Sequence, residues 1–128
     1  MEKLLIEGTL DTPNIILDKD LGKFEISGKS FPEETKRFYT PVVNWLEEYC
    51  KNPNEKTNFF FKLDYFNSST STVFLDIIYL LDKLYKKNNN ITIHWHHLDI
   101  DDDMLEAGEE FEEMVSIPFE YKAIKETD

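Results

Sequence analysis

Asn67-Ser68-Ser69-Thr70-Ser71-Thr72 sets five consecutive hydroxyl side chains behind one asparagine, wedged between a phenylalanine-rich segment and an apolar segment with helical spacing. A helix start leaves backbone N–H groups unpaired, and Asn or Ser side chains satisfy them, so capping accounts for one or two of these residues. Five exceed that need. A phosphoryl group on Ser68 or Ser69 would meet the same unpaired donors and the positive end of the helix, which favours a charge near −2 at that place. Spacing alone leaves open whether the run is a modification site or only a cap. A serine on a strand-to-helix turn is also the setting of a hydrolase nucleophile, but both glycines of Gly-x-Ser-x-Gly are missing here. Asn67-Ser68-Ser69 and Asn90-Ile91-Thr92 are glycosylation sequons, without weight in a chain whose first residues show no secretory signal.

Three other sets of residues invite chemistry. Asp99, Asp101 and Asp103, with Glu110, stand at positions one, three, five and twelve of a calcium loop, yet Met104 occupies the place of the turn-forming glycine. A solvated acidic face, available as a contact surface, is the preferred reading. His94 and His96 would share one face of a strand and His97 the other, and two histidines without a third ligand at a metal-site spacing read as half-buried imidazoles. Cys50 stands alone, and nothing in the sequence pairs it with a histidine as a nucleophile. No metal site and no cofactor is expected.

The elements that must position these groups follow from composition and periodicity. A chain of 128 residues, 41% hydrophobic, suits one domain that buries a core without disulfides, and a single cysteine with no leader points to the cytoplasm. The longest apolar runs fall far short of the roughly 20 residues that cross a bilayer. A net charge of −12 disfavours nucleic acid, and residues 99–113 hold nine acids with no Lys or Arg. Alternating apolar residues predict strands at 4–8, 14–17 and 23–27, forming an antiparallel meander, with the glycines confined to turns. Ser30 is placed to cap a first helix, with Pro32, Glu33 and Glu34 in its first turn. That helix runs to about Tyr49 through Phe38, Val42 and Leu46, and Pro41 should kink or restart it near Thr40. Residues 57–65 read as a central strand with Phe59, Phe61, Leu63 and Tyr65 on one face.

After the hydroxyl run, Val73, Phe74, Ile77, Ile78, Leu81, Leu84 and Tyr85 form a wide helical stripe that Asn88-Asn89-Asn90 stops. Residues 91–97 predict a strand, 103–115 an acidic helix and 119–123 an edge strand. Strand and helix alternate from residue 57 onward, which implies crossover connections and parallel pairing. The predicted fold class is α/β: one domain with a mixed, mostly parallel sheet, an N-terminal antiparallel meander and about three helices.

Five ordered motifs resemble one family: Gly8-Thr9 with Thr12-Pro13, the stretch from Gly28 to Glu33, the stretch from Phe38 to Leu46, Tyr65-Phe66-Asn67-Ser68-Ser69, and the stretch from Asp103 to Glu110. On these residues the chain is identified as a member of the SiaC-type regulatory phosphoproteins, over nearly its whole length. The resemblance implies a fold related to the STAS domains of anti-sigma factor antagonists, spanning residues 1–125 with a tail at 126–128. It further implies a bacterial switch protein without catalysis of its own, phosphorylated by a dedicated kinase and dephosphorylated by a PP2C-type phosphatase. The unphosphorylated form is expected to engage a diguanylate cyclase and promote cyclic-di-GMP synthesis. The family acceptor directly follows the Asn of Tyr-Phe-Asn and is usually Thr; that position is Ser68 here, with Ser69 as second choice.

Adding about two negative charges at Ser68 would repel acidic groups and raise the desolvation cost of a close interface. Tyr65 and Phe66, if exposed at the strand end, supply an apolar anchor for a partner. Asn67, Ser69, Thr70, Ser30, Pro32 and Glu33 are expected to border the same surface. Two other readings stand beside this one: a small hydrolase or metal-dependent enzyme using residues 94–103, and a plain anti-sigma factor antagonist acting by partner switching.

Overall fold

The computed structural model describes residues 1–126, so the last two residues of the expected tail lie outside the described residues. The chain runs β1 (Leu4–Ile6), β2 (Asn14–Asp18), β3 (Lys23–Ser30), α1 (Thr35–Lys51), β4 (Thr57–Phe66), α2 (Ser68–Asn88), β5 (Ile91–Leu98), α3 (Asp102–Glu113) and β6 (Phe119–Ile124). One six-stranded sheet has the order β1-β2-β3-β4-β5-β6. Its first two pairings are antiparallel and the other three parallel, as the alternation of elements predicts.

Each parallel pairing is joined through a helix, and all three crossovers advance in one direction across the sheet. Right-handed connections that advance one way place their helices on one face. Burial follows: Ile91, Ile93, Trp95 and His97 of β5 are buried beneath the helices, while Thr92, His94 and His96 are half-buried on the uncovered face. The core joins Ile15, Leu17, Phe24 and Ile26 of the meander to Phe59, Phe61, Phe74, Ile77, Leu81 and Trp95.

α1 buries Tyr39, Val42, Leu46 and Tyr49, one stripe at helical spacing. It differs from expectation at both its start and its proline. Ser30 does not cap it: Ser30 is the last residue of β3, and the helix opens after Glu34 with no side-chain cap. Pro32, Glu33 and Glu34 therefore precede the first turn. Pro41 does not restart α1, which runs unbroken for 17 residues. Pro41 is exposed, so the carbonyl it leaves without an N–H partner is turned to water.

Two glycines lie inside elements and not in turns. Gly28 sits in β3 with φ of 97°, where the register with β4 slips from Gly28 opposite Leu63 to Lys29 opposite Tyr65. Asp64 is the extra residue of this bulge, and a bulge reverses which residues face the core. Phe66 thus takes the inward place expected of Tyr65, which is exposed. Gly108 lets α3 approach the sheet: a Cβ there would lie 2.7 Å from the indole of Trp95.

Candidate functional site

The hydroxyl run lies at the start of α2. Asn67 is the N-cap, in extended conformation, and its Oδ1 accepts the Thr70 N–H at 2.9 Å. Its carbonyl accepts the Ser71 N–H at 2.9 Å. Capping therefore consumes Asn67 and leaves the Ser68 and Ser69 side chains exposed on the first turn. Thr70, one turn position further, is fully buried.

Burial of Thr70 completes a hydroxyl chain. Ser30 Oγ lies 2.7 Å from Tyr39 Oη and 2.9 Å from Thr70 Oγ1. Thr70 Oγ1 in turn donates to the Ser30 carbonyl at 3.1 Å. Each hydroxyl owns one proton, so the pattern has one consistent assignment. Thr70 donates to the carbonyl, Ser30 donates to Thr70, and Tyr39 donates to Ser30. Burial pushes the Tyr39 phenol well above its ordinary range, against the smaller opposing effect of the Ser30 hydrogen bond, which keeps that proton in place. Three elements, β3, α1 and α2, are thereby pinned together directly beneath Ser68 and Ser69.

Adjacency that the sequence could not supply is explicit. Ser30 pairs with Phe66 at the ends of β3 and β4, and the Asn67 N–H donates to the Ser30 carbonyl at 3.1 Å. Among the residues expected at a partner surface, Glu33 and Tyr65 are exposed, but Ser30, Pro32 and Thr70 are buried. Ser30 and Thr70 position the junction through their hydroxyls, and the side chains of all three offer no surface. Phe66 is half-buried and points inward, with ring centroids 5.1 Å from Phe74 and 6.2 Å from Trp95. The exposed aromatic pair is instead Tyr65 with Phe31, edge to face at 5.9 Å. Phe31, set between the buried Ser30 and Pro32, stands outside the expected surface set, and only its packing against Tyr65 brings it to the patch. The bulge that turns Tyr65 outward has no hydropathy signal of its own.

Beside this patch a cleft of about 340 Å³ is lined by Asp64, Tyr65, Phe66, Asp101, Asp103, Met104 and Ala107. The acidic segment thus contributes Asp101 and Asp103 to a wall shared with Tyr65. The same segment does not form a calcium loop: Asp101 caps α3 by accepting the Met104 N–H at 3.0 Å, and helix begins at Asp102. Asp102 and Asp103 lie in its first turn, where negative charge complements the helix dipole.

The histidines are engaged otherwise. His94 Nε2 is 2.8 Å from Asn58 Oδ1 and the ring stacks on Phe60 at 4.3 Å. Burial holds His94 and His96 below the usual imidazole range, against the raising effect of Glu120 on His94. Cys50 lies between α1 and α2 beside Glu47, Lys51, Lys83 and Lys87, where burial pushes its thiol up to about 11 despite nearby Lys87. No helix among the described residues is long and apolar enough to cross a membrane.

Fold and junction together define an α/β domain with a serine-bearing strand-to-helix turn. More specifically, the chain belongs to the SiaC family regulatory phosphoproteins, whose family pattern matches residues 6–124. An uncharacterised protein of Pseudomonas aeruginosa is 29% identical over 123 residues, covering 96% of this chain and 98% of the relative. The crystal structure of apo-SiaC from Pseudomonas aeruginosa superimposes with a TM-score of 0.87 at 29% identity, covering 96% of this chain and all of that one. SiaC in a complex described as the diguanylate cyclase SiaD with its activator superimposes with a TM-score of 0.89 at 29% identity, covering 94% of this chain and 99% of that one.

Proposed function

We propose that this chain is a non-enzymatic phospho-switch acting in the cytoplasm, with residues 1–125 as its one working domain and Ser68 as its acceptor. A partner serine/threonine kinase transfers a phosphoryl group to Ser68 Oγ, a PP2C-type phosphatase hydrolyses the ester, and the unphosphorylated chain binds and activates a diguanylate cyclase. The observation that carries this reading is the division of labour at the helix start. Asn67 alone fills the cap, so Ser68 is exposed without a structural task for its side chain. Likeness to SiaC over nearly all of both chains, including SiaC bound to a cyclase, supports the choice of output partner.

The mechanism is local. Tyr65 and Phe31 present an apolar pair on the rim of a cleft that already holds the carboxylates of Asp64, Asp101 and Asp103. A phosphate of about −1.5 to −2 charge on the adjoining turn adds repulsion and a desolvation cost to any partner that covers the pair. Ser69, also exposed, is the second acceptor in order of preference.

Intact-mass and peptide mapping after incubation with the cognate kinase and ATP tests the site. One added phosphate is expected in the native chain and none in Ser68→Ala; full modification of Ser68→Ala moves the acceptor to Ser69 or elsewhere. Cyclic-di-GMP formation by the cyclase should rise with the unmodified chain and not with the phosphorylated one. An effect on a sigma-factor inhibitor, with none on the cyclase, would favour the anti-sigma antagonist reading.

A further inference from the structure

Helices cover one face of the sheet, but its two edges differ. β1 is only three residues long, and short edge strands resist pairing. β6 spans six residues, Phe119 to Ile124, and among the described residues it pairs only with β5. Its hydrogen-bond polarity can be read from the ladder. The Pro118 carbonyl accepts the Ile93 N–H at 3.0 Å and the Ile124 carbonyl accepts the Asp99 N–H at 2.8 Å. Alternate residues of a strand direct their backbone groups to opposite sides, so Glu120, Lys122 and Ile124 bond inward to β5. Phe119, Tyr121 and Ala123 therefore direct their N–H and C=O groups to the free edge.

We propose that β6 pairs antiparallel with β6 of a second copy of this chain, with the two-fold axis at Tyr121, joining two sheets into one. The outward groups fix the register to a few choices, since residues facing each other across hydrogen bonds must be Phe119, Tyr121 or Ala123 on both strands. Side-chain charge selects among them. With the axis at Tyr121, Phe119 meets Ala123 of the second copy, Tyr121 meets its own counterpart, and Glu120 stands directly opposite Lys122, twice over. Moving the axis one step either way sets Glu120 against Glu120 or Lys122 against Lys122, and like charges directly opposite destabilise a pair. Only one register is self-complementary, as an isologous interface requires.

The side chains suit this register. Glu120 and Lys122 are both exposed. Lys122 makes no ion pair among the described residues, and Glu120 has only a 3.5 Å contact to His94, which burial disfavours from carrying charge. Tyr121 is already held by its hydroxyl, which donates to Glu112 at 2.8 Å, so the central residue of the edge is ordered before association. The opposing influence is the −12 charge of each copy. Near physiological salt, exposed charges more than about 8 Å apart are screened, while facing residues of paired strands are closer than that.

Sedimentation equilibrium on the purified full chain at near-physiological salt, across a concentration series, tests the pairing. The native chain is expected to move from 15.2 kDa toward twice that mass as concentration rises. Glu120→Lys and Lys122→Glu should each stay at the single-chain mass. An equimolar mixture of the two should regain association, because each strand of the mixed pair again meets opposite charges. Tyr121→Pro, which removes a central outward N–H, should abolish association. A native chain that stays monomeric throughout, or single charge variants that associate as well as the native chain, would overturn the proposal. A mixture that fails to associate while the native chain does would overturn the register.

Discussion

Ser30 and Thr70, forty residues apart in the chain, hold their hydroxyl oxygens 2.9 Å apart beneath the first turn of α2. Through Tyr39 the same contact reaches α1. The surface that carries Ser68 therefore rests on a buried polar chain that is satisfied at every member, and such chains cost most when one member is removed.

Replacing Thr70 with Val should destabilise the fold by about 1–3 kcal/mol, because the Ser30 hydroxyl loses its acceptor and the Ser30 carbonyl one donor without access to water. Tyr39→Phe should cost a similar amount. Urea titration of both single variants and the double variant checks the linkage: the combined loss should fall short of the sum, since the residues share Ser30.

Asn67→Ala should lower stability by about 1 kcal/mol through loss of the cap. Ser68→Ala and Ser69→Ala, both at exposed positions, should stay within about 0.5 kcal/mol of the native chain. Thermal melts of the three variants distinguish the residue that builds the turn from those that decorate it.

Phe31→Ala or Tyr65→Ala should leave stability almost unchanged yet weaken cyclase binding about tenfold or more, as loss of an exposed aromatic anchor does. Phe66→Ala should instead cost about 3–5 kcal/mol of stability, since its ring packs among Phe74, Trp95 and Phe111. Calorimetric titration against the cyclase, paired with denaturant unfolding, separates the two effects.

Asp82 sets an acid limit on the fold. Burial raises its pKa, but the Ser116 and Ile117 N–H groups, both donating at 2.9 Å, and Lys86 outweigh that effect and hold it below the usual carboxylate range. A depressed folded pKa contributes stability that is present above the unfolded value of about 3.9 and lost as pH falls through the folded one. Asp82→Asn should therefore be less stable than the native chain at pH 7, with the gap closing below about pH 4. Urea unfolding as a function of pH checks both the sign and the window.

The element order was legible because each segment's hydropathy period is local: the wide stripe from Phe74 to Leu84 is helical by its own spacing, and it buries Ile77, Ile78 and Leu81 as read. Asn67-Ser68-Ser69 as a turn was equally legible, since capping depends on residues three positions apart. What the sequence by itself determined is this local grammar, together with a family likeness spread over five motifs. Tertiary structure decided the rest. It drew Ser30 into β3 opposite Phe66, buried Thr70 against it, and used Asp64 as a bulge that exchanges Tyr65 for Phe66 on the inward face. None of these is encoded in a period: each depends on which distant segment lies alongside, and a one-residue shift in register moves every later side chain to the opposite face.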